Sequence, residues 1–320
     1  MIEYMKIENL INSSDEVFIT AHKYIDLDAL GSILGIYYIV NNIGKNAHIV
    51  IDDEEINPEV RRALSTIKKI DDIIPKTYDE IKDLITDKSL LIVCDTNKKT
   101  RVQNEKLLKI KEKIVIDHHV ESKSVIEDLS YKFIDTNSSS ATEIVLDLIN
   151  ELNIYIPAEV ATIMLAGMYI DTNGFSIKTG EKTHIYASML YKFGADSKEV
   201  QYLLKQNFTE FKRRQKLTLA TEIYDEYAIT TSDSEYSSTE LAKASDVLLT
   251  FNSVEASFSI AKLDDDIVGI SARSLGNVDV EKVMLHFNGG GHKTDAACQI
   301  KGKSVEEVKR ELLEFLGGLQ

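Results

Sequence analysis

Three short apolar runs, each ending on a side chain that binds metals or protons, constrain this chain most. Residues 17–21 read VFITA and lead into His22; residues 90–94 read LLIVC and lead into Asp95; residues 113–116 read KIVI and lead into Asp117, His118 and His119. Short apolar runs that alternate with helical periodicity predict a parallel α/β sheet with helices on both faces. Further strands are expected at 47–51 and 131–134, and helices at 28–42, 140–152 and 158–170. Ligands of such sheets bind beyond the carboxyl ends of the strands. Segments far apart in sequence are therefore expected to converge there.

The rest of the chain reads differently. Residues 196–226 are rich in Lys, Gln, Glu and Arg with apolar residues at helical spacing, which predicts a helical linker. Beyond it, SFSIAK at 257–262 and IVGISAR at 267–273 flank Asp264, Asp265 and Asp266, a hairpin turn by composition. A helix is expected around 280–287, a strand near 296–300, and a final helix opening at Ser304 with Glu307 three residues on, the pattern of a capping box. This predicts a smaller α+β domain. The expected organisation is a catalytic domain over 1–195, a linker over 196–226 and a substrate-binding domain over 227–320.

Composition narrows the function. Of 320 residues 43% are hydrophobic and 28% charged, so the chain is globular. No apolar run approaches the roughly 18 residues of a membrane span, and the first residues lack the apolar core of a signal peptide. Cys94 and Cys298 each lie in an apolar, strand-like run and read as reduced core residues of a cytoplasmic protein. The net charge of −15 and the lack of a basic stripe disfavour a protein that grips long nucleic acid and favour a small substrate. An acidic protein can hold a phosphate through divalent metals, two of which would bring four positive charges against four site carboxylates.

Those carboxylates are Asp26, Asp28, Asp95 and Asp171. His22, Asp26 and Asp28 share a strand-to-helix loop that can wrap a cation and send one carboxylate to each of two metals; the alternative is a helix N-cap at Asp26 or Asp28. Asp95 is either a shared, bridging ligand or a turn residue, and Asp171 either a ligand or a helix-end residue. His118 and His119 point in different directions, so one can ligate a metal while the other faces substrate, with Asp117 orienting an imidazole; the alternative is a pair of surface loop residues. Mixed His and Asp without Cys suits Mn²⁺ first, with Mg²⁺ and Co²⁺ as further candidates. A two-metal site of this kind hydrolyses phosphate esters.

With HKYIDLDALGS at 22–32, CDTNKKTRV at 94–102, IDHH at 116–119, SSATE at 139–143, DTNGFSIKTG at 171–180 and GGGH at 289–292, the chain resembles the DHH–DHHA1 phosphoesterases over nearly its whole length. The resemblance implies one metal on His22, Asp26 and Asp95 and a second on Asp28, Asp95, His118 and Asp171. It further implies a water or hydroxide between the metals as nucleophile and contact of His119 with the scissile phosphate. Within the superfamily, ISARSLG at 270–276 and the segment from Asp171 to Asp196 are most similar to the catalytic portion of GdpP-type cyclic-di-AMP phosphodiesterases. The membrane helices and the PAS-like and degenerate GGDEF domains of that type are not in this sequence, so a catalytic fragment or a stand-alone cytosolic relative is expected. Dimerisation is common in the superfamily and a homodimer enters the expectations with it, although no interface signature is visible.

In the second domain, Gly289, Gly290 and Gly291 offer backbone N–H groups to a phosphate, with His292, Arg273 and Ser274 beside them. A plain turn and, for Arg273, a surface ion pair are the structural alternatives. The family commonly has four glycines before the histidine; here Asn288 replaces the first. The expected reaction is Mn-dependent hydrolysis of cyclic di-AMP to linear pApA in a cleft between the domains. The rival readings are an oligoribonuclease or pAp phosphatase with the same metals, and a nucleotide-binding sensor without catalysis.

Overall fold

The computed structural model describes residues 2–52, 56–71, 73–121 and 124–317. The chain divides into two compact units, one ending at Lys205 and the other beginning at Gln206. In the first unit, strands β1 (Glu16–Thr20), β2 (Asn46–Ile49), β3 (Leu90–Cys94), β4 (Glu112–Asp117) and β5 (Tyr131–Ile134) form one sheet in the order β2-β1-β3-β4-β5. Every pairing is parallel. Around it run helices α1 (Ile2–Ser13), α2 (Leu27–Asn42), α3 (Pro58–Asp71), α4 (Tyr78–Ile81), α5 (Ala141–Glu151), α6 (Ala158–Asp171), α7 (Glu181–Lys192) and α8 (Ser197–Leu203).

Successive strand residues enter opposite cores. Val17, Ile19, Leu90, Ile92, Cys94, Ile114 and Ile116 join α2, α5 and α6 in one. Phe18, Leu91, Val93 and Val115 join Ile81, Val102, Leu107, Ile110 and Ile126 in the other. Both faces are apolar, which is why these strands read as unbroken hydrophobic runs instead of alternating ones. The strand order reverses between β1 and β3, the switch point at which open α/β sheets bind their ligands. His22 and Asp95 follow these two strands. Asp117 belongs to β4 as its last residue, one position beyond the expected strand end, because its backbone still pairs with Ile134 of β5.

The second unit contains α9 (Phe208–Leu219), β6 (Thr221–Tyr224), β7 (Tyr227–Glu235), α10 (Ser238–Leu248), β8 (Ala256–Lys262), β9 (Ile267–Ser274), α11 (Val280–His286), β10 (Gly290–Gly291), β11 (Asp295–Lys301) and α12 (Val305–Gly317). Its sheet runs β10-β11-β9-β8-β7-β6. Only β7 and β8 pair in parallel, because the crossover through α10 brings the chain back in the same direction. Residues 196–226 hold α8, α9 and the short strand β6, and the division between the units falls inside them. The turn at Asp264–Asp266 closes the β8–β9 hairpin, with Leu263 N donating to Ile267 O at 2.8 Å and Asp266 N to Asp264 Oδ1 at 2.9 Å. Ser304 and Glu307 cap α12 reciprocally: Ser304 N donates to Glu307 Oε2 at 2.8 Å and Glu307 N to Ser304 Oγ at 3.3 Å. Cys94 and Cys298 are buried and free. No helix among the described residues is long and apolar enough to cross a membrane.

Candidate metal centre

The loop after β1 brings His22 and Asp26 together. Asp26 caps α2, its Oδ1 accepting from the N–H groups of Asp28 and Ala29 at 3.0 Å each. Its Oδ2 remains 3.6 Å from His22 Nε2, so the cap and the cluster member are the same side chain. His22 Nδ1 donates to Lys23 O at 2.8 Å, since a carbonyl can only accept. This directs Nε2 to Asp95 Oδ2, 3.2 Å away.

Asp95 leaves β3 with a φ of +56°, a left-handed conformation that Asp tolerates better than most side chains. Its N–H still bonds Ile116 O at 2.9 Å, while its carboxylate faces two ways. Oδ2 meets His22; Oδ1 lies 3.4 Å from His118 Nε2 and 3.5 Å from His119 Nδ1. His118 Nε2 is also 3.3 Å from Oδ2 of Asp171, the last residue of α6.

Asp28 is fully buried in the first turn of α2. It caps not its own helix but the start of α5, accepting from Ala141 N at 2.8 Å and Thr142 N at 2.9 Å. The positive end of that helix stabilises the buried carboxylate. This is the contribution of the SSATE segment, for which the sequence suggested no specific task. Among the described residues, three overlapping groups hold ligating atoms within 4.8 Å of one another: His22, Asp26 and Asp95; Asp95, His118 and His119; and Asp28, His118 and Asp171.

The charge balance is that of a cation site. Burial alone would lower the pKa of His22, but the carboxylates of Asp26 and Asp95 push it up to about 11. His118, also opposed by burial, is pushed up to about 10 by Asp95, Asp28 and Asp171. Burial and then the Asp95 charge raise Asp28 to about 6. Burial and the Asp28 charge hold Asp171 well above the usual carboxylate range. Asp95 goes the other way: despite burial, the two imidazoles hold it below that range. Two buried atoms facing one another in this cluster, Asp95 Oδ1 and His118 Nε2, have no hydrogen-bond partner among the described residues. Oxygen and imidazole donors with two such orphaned atoms fit divalent metal ions, which would replace the protons the cluster otherwise holds.

Asp117 is fully buried beside the cluster. Its Oδ1 accepts from His119 Nδ1 at 2.8 Å and from His119 N at 3.2 Å. Asp117 thus orients His119, whose side chain is 44% exposed, whereas His118 is only 9% exposed and turned into the cluster. Asn97, which the sequence reading passed over, donates to Asp117 Oδ2 at 2.7 Å and to His119 O at 3.0 Å. Its position two residues after Asp95, inside the CDTN segment, was the available signal.

In the second unit, Arg273 lies on β9 with Nε 3.0 Å from Asp246 Oδ1 and Nη1 2.9 Å from Ala272 O. The ion-pair alternative therefore describes its present contact. Ser274 Oγ donates to Val278 O at 2.6 Å and closes the following turn. Gly290 and Gly291 form β10 against Ala297 and Ala296. A Cβ on Gly289 or Gly291 would lie 2.4 Å from the β11 backbone, from Ala297 O or Ala296 Cα respectively. Close strand packing therefore requires glycine at these two positions. His292 follows, exposed, its N–H bonded to Asp295 O at 2.7 Å. Asn288 has a φ of +58°. That conformation explains why Asn stands where a glycine is usual: after Gly it is among the best-tolerated residues there.

Residues 16–168 match the family model described as DHH family, N-terminal domain, and residues 225–318 match the DHHA1 domain. The chain belongs to the DHH phosphoesterase family. The cyclic-di-AMP phosphodiesterase PdeA of Listeria monocytogenes is 36% identical over 97% of this chain and 48% of its own length. The cyclic-di-AMP phosphodiesterase GdpP of Bacillus subtilis is 36% identical over 98% of this chain and 50% of its own length. This DHH chain spans about half the length of these curated relatives. The crystal structure of an exopolyphosphatase-related protein from Bacteroides fragilis shares the fold, with a TM-score of 0.83, 20% identity and coverage of 99% of this chain and 97% of that one.

Proposed function

We propose that this chain is a metal-dependent phosphodiesterase that opens cyclic di-AMP to linear pApA. The observation that carries the reaction is the two-sided Asp95 carboxylate, one oxygen toward His22 and the other toward His118. Such a group can serve two cations at once. The substrate rests on likeness to PdeA and GdpP over nearly the full chain.

In this reading His22, Asp26 and Asp95 hold one divalent ion, and Asp28, Asp95, His118 and Asp171 the other. Mn²⁺ suits the donor set first, with Mg²⁺ and Co²⁺ as alternatives. When bound, the ions supply Lewis-acid charge and lower the pKa of an attacking water. Hydrolysis of one phosphodiester would join a water oxygen to phosphorus and break the bond from phosphorus to the ribose 3′ oxygen, leaving a 5′ phosphate and a 3′ hydroxyl. His119, held through Nδ1 by Asp117, presents Nε2 to the scissile phosphate. The domain over 227–320 holds the second nucleotide, with Arg273, His292 and the backbone of Gly289, Gly290 and Gly291 as its contacts. Ser274 acts by fixing the turn behind Arg273. The catalytic part is the domain over 1–195, and residues 196–226 connect the two.

The test is a product assay with Mn²⁺ in which cyclic di-AMP, pApA and pAp are offered side by side. Accumulation of pApA from the cyclic compound is expected. Turnover of pApA or pAp with the cyclic compound left intact would move the chain to the oligoribonuclease and pAp phosphatase branch. A bound nucleotide that survives Mn²⁺ unhydrolysed would make it a sensor.

A further inference from the structure

We propose that Asn97 is a positioning residue for His119, acting through Asp117 and through the backbone of the Asp-His-His turn. The inference rests on the reading above in which His119 meets the phosphate. Asn97 follows β3 and the turn follows β4; the two strands are parallel neighbours, so their carboxyl-end loops lie side by side. Asn97 is 3% exposed and Asp117 fully buried. The amide nitrogen of Asn97 gives its hydrogens to Asp117 Oδ2 and His119 O. Both partners are acceptors, which fixes the orientation of the amide. Asp117 Oδ1 is thereby left, among the described residues, to His119, receiving the ring Nδ1–H and the backbone N–H.

The result is a closed set of hydrogen bonds with one outlet. His119 is held with hydrogen on Nδ1, so Nε2 faces outward and, when it too carries a hydrogen, can donate to a phosphate oxygen. Without Asn97, Asp117 Oδ2 would be a buried carboxylate oxygen short of a donor, and the carboxylate could turn away from the ring. Asn97 is itself pinned, since Ile126 N donates to its carbonyl at 2.8 Å. Its own Oδ1 is buried without a hydrogen-bond partner among the described residues. A buried amide whose two hydrogens fill two acceptors on a neighbouring turn is placed to hold that turn in one arrangement.

The experiment uses the full chain with Asn97→Ala, Asn97→Asp and Asn97→His. Two readouts are taken. The first is the histidine ring ¹⁵N spectrum of metal-free protein at about pH 8.5, above the ordinary histidine range, with the His119 signals assigned by their loss in His119→Gln. The second is kinetics with Mn²⁺ on bis(p-nitrophenyl) phosphate, a diester without a nucleobase. In the parent, His119 should carry its hydrogen on Nδ1. In Asn97→Ala the two tautomers should mix, and kcat should fall about 10- to 100-fold with KM nearly unchanged. Asn97→Asp, which sets a second carboxylate against Asp117, should be worse. Asn97→His, with one ring N–H for two amide hydrogens, should recover part of both signals, and it carries the test should Asn97→Ala not fold. An unchanged tautomer with unchanged kcat would overturn the proposal, as would a kcat loss that merely tracks the loss of folded protein. The tautomer is read without substrate, so failure of the proposed function would leave this test intact.

Discussion

Gly167 lies against the backbone of Asp28: a Cβ at 167 would stand 2.7 Å from both Asp28 Cα and Leu27 O. Gly167 is one helical turn before Asp171 on α6, on the same face. The missing side chain therefore lets α6 approach the first turn of α2 until Asp28 and Asp171 are in one group with His118. Gly167→Ala should cost about 1–3 kcal/mol of stability by overpacking and should weaken metal binding at that group. Urea denaturation and metal titration by calorimetry would measure the two effects. Full metal affinity in the variant would show that the helix contact does not set the site.

Asp95 belongs to two of the three ligand groups. On the proposed assignment Asp95 serves both ions, so Asp95→Ala should weaken both metal equivalents and abolish phosphodiesterase activity, even though Asp28, His118 and Asp171 still form a group. Metal analysis after dialysis distinguishes this from a private ligand, whose removal would leave one equivalent in place.

The metal-free centre should respond to pH in a definite direction. His22 and His118 have folded pKa values of about 11 and about 10 against about 6.5 in an unfolded chain. Their stabilising contribution is complete below about pH 6.5 and is lost as pH rises toward those values. Asp28, raised to about 6, and Asp171, raised as well, act in the same sense at lower pH; Asp95, shifted downward, opposes them in the acid range. Metal binding must displace the imidazole protons, so affinity should increase with pH. The rise in melting temperature on adding Mn²⁺ should therefore grow from pH 6 to pH 9, and calorimetry in buffers of different ionisation enthalpy should register proton release. A metal-induced shift independent of pH would contradict the assignment.

Arg273→Ala removes a guanidinium that touches Asp246 and the β9 backbone. On the proposed reading, KM for the nucleotide should rise while metal content stays intact. Unchanged kinetics on cyclic di-AMP, pApA and pAp would reduce Arg273 to its ion pair.

Asn288 sits at a left-handed φ. Asn288→Val, with a branched side chain, should destabilise the second unit by about 1–2 kcal/mol. Asn288→Gly should be tolerated. Denaturant midpoints would separate them, and equal midpoints would remove strain as the reason for Asn there.

The parallel sheet was legible because the middles of β1, β3 and β4 are buried on both faces, and successive residues there are apolar. Most members of the His–Asp cluster were legible because His22, Asp95 and His118 follow those strands and Asp171 ends the helix Ala158–Asp171, where sequence and topology coincide. Strands β6 and β7 were not expected; β7 ends in a polar run from Thr231 to Glu235 with no alternation to mark it. The glycine run shows the reverse case: composition suggested a phosphate loop, and the structure gives Gly289 and Gly291 a packing reason on β11. What the sequence alone determined is which side chains stand at the ends of the strands, since a covalent neighbour cannot be elsewhere. Only the tertiary structure decided that Asp28 is held by the start of α5, that Asp26 is both cap and cluster member, and that Asn97 closes the Asp117–His119 turn. Those relations depend on backbone N–H groups and packing distances between segments distant in the chain, and no local pattern of residue types encodes them.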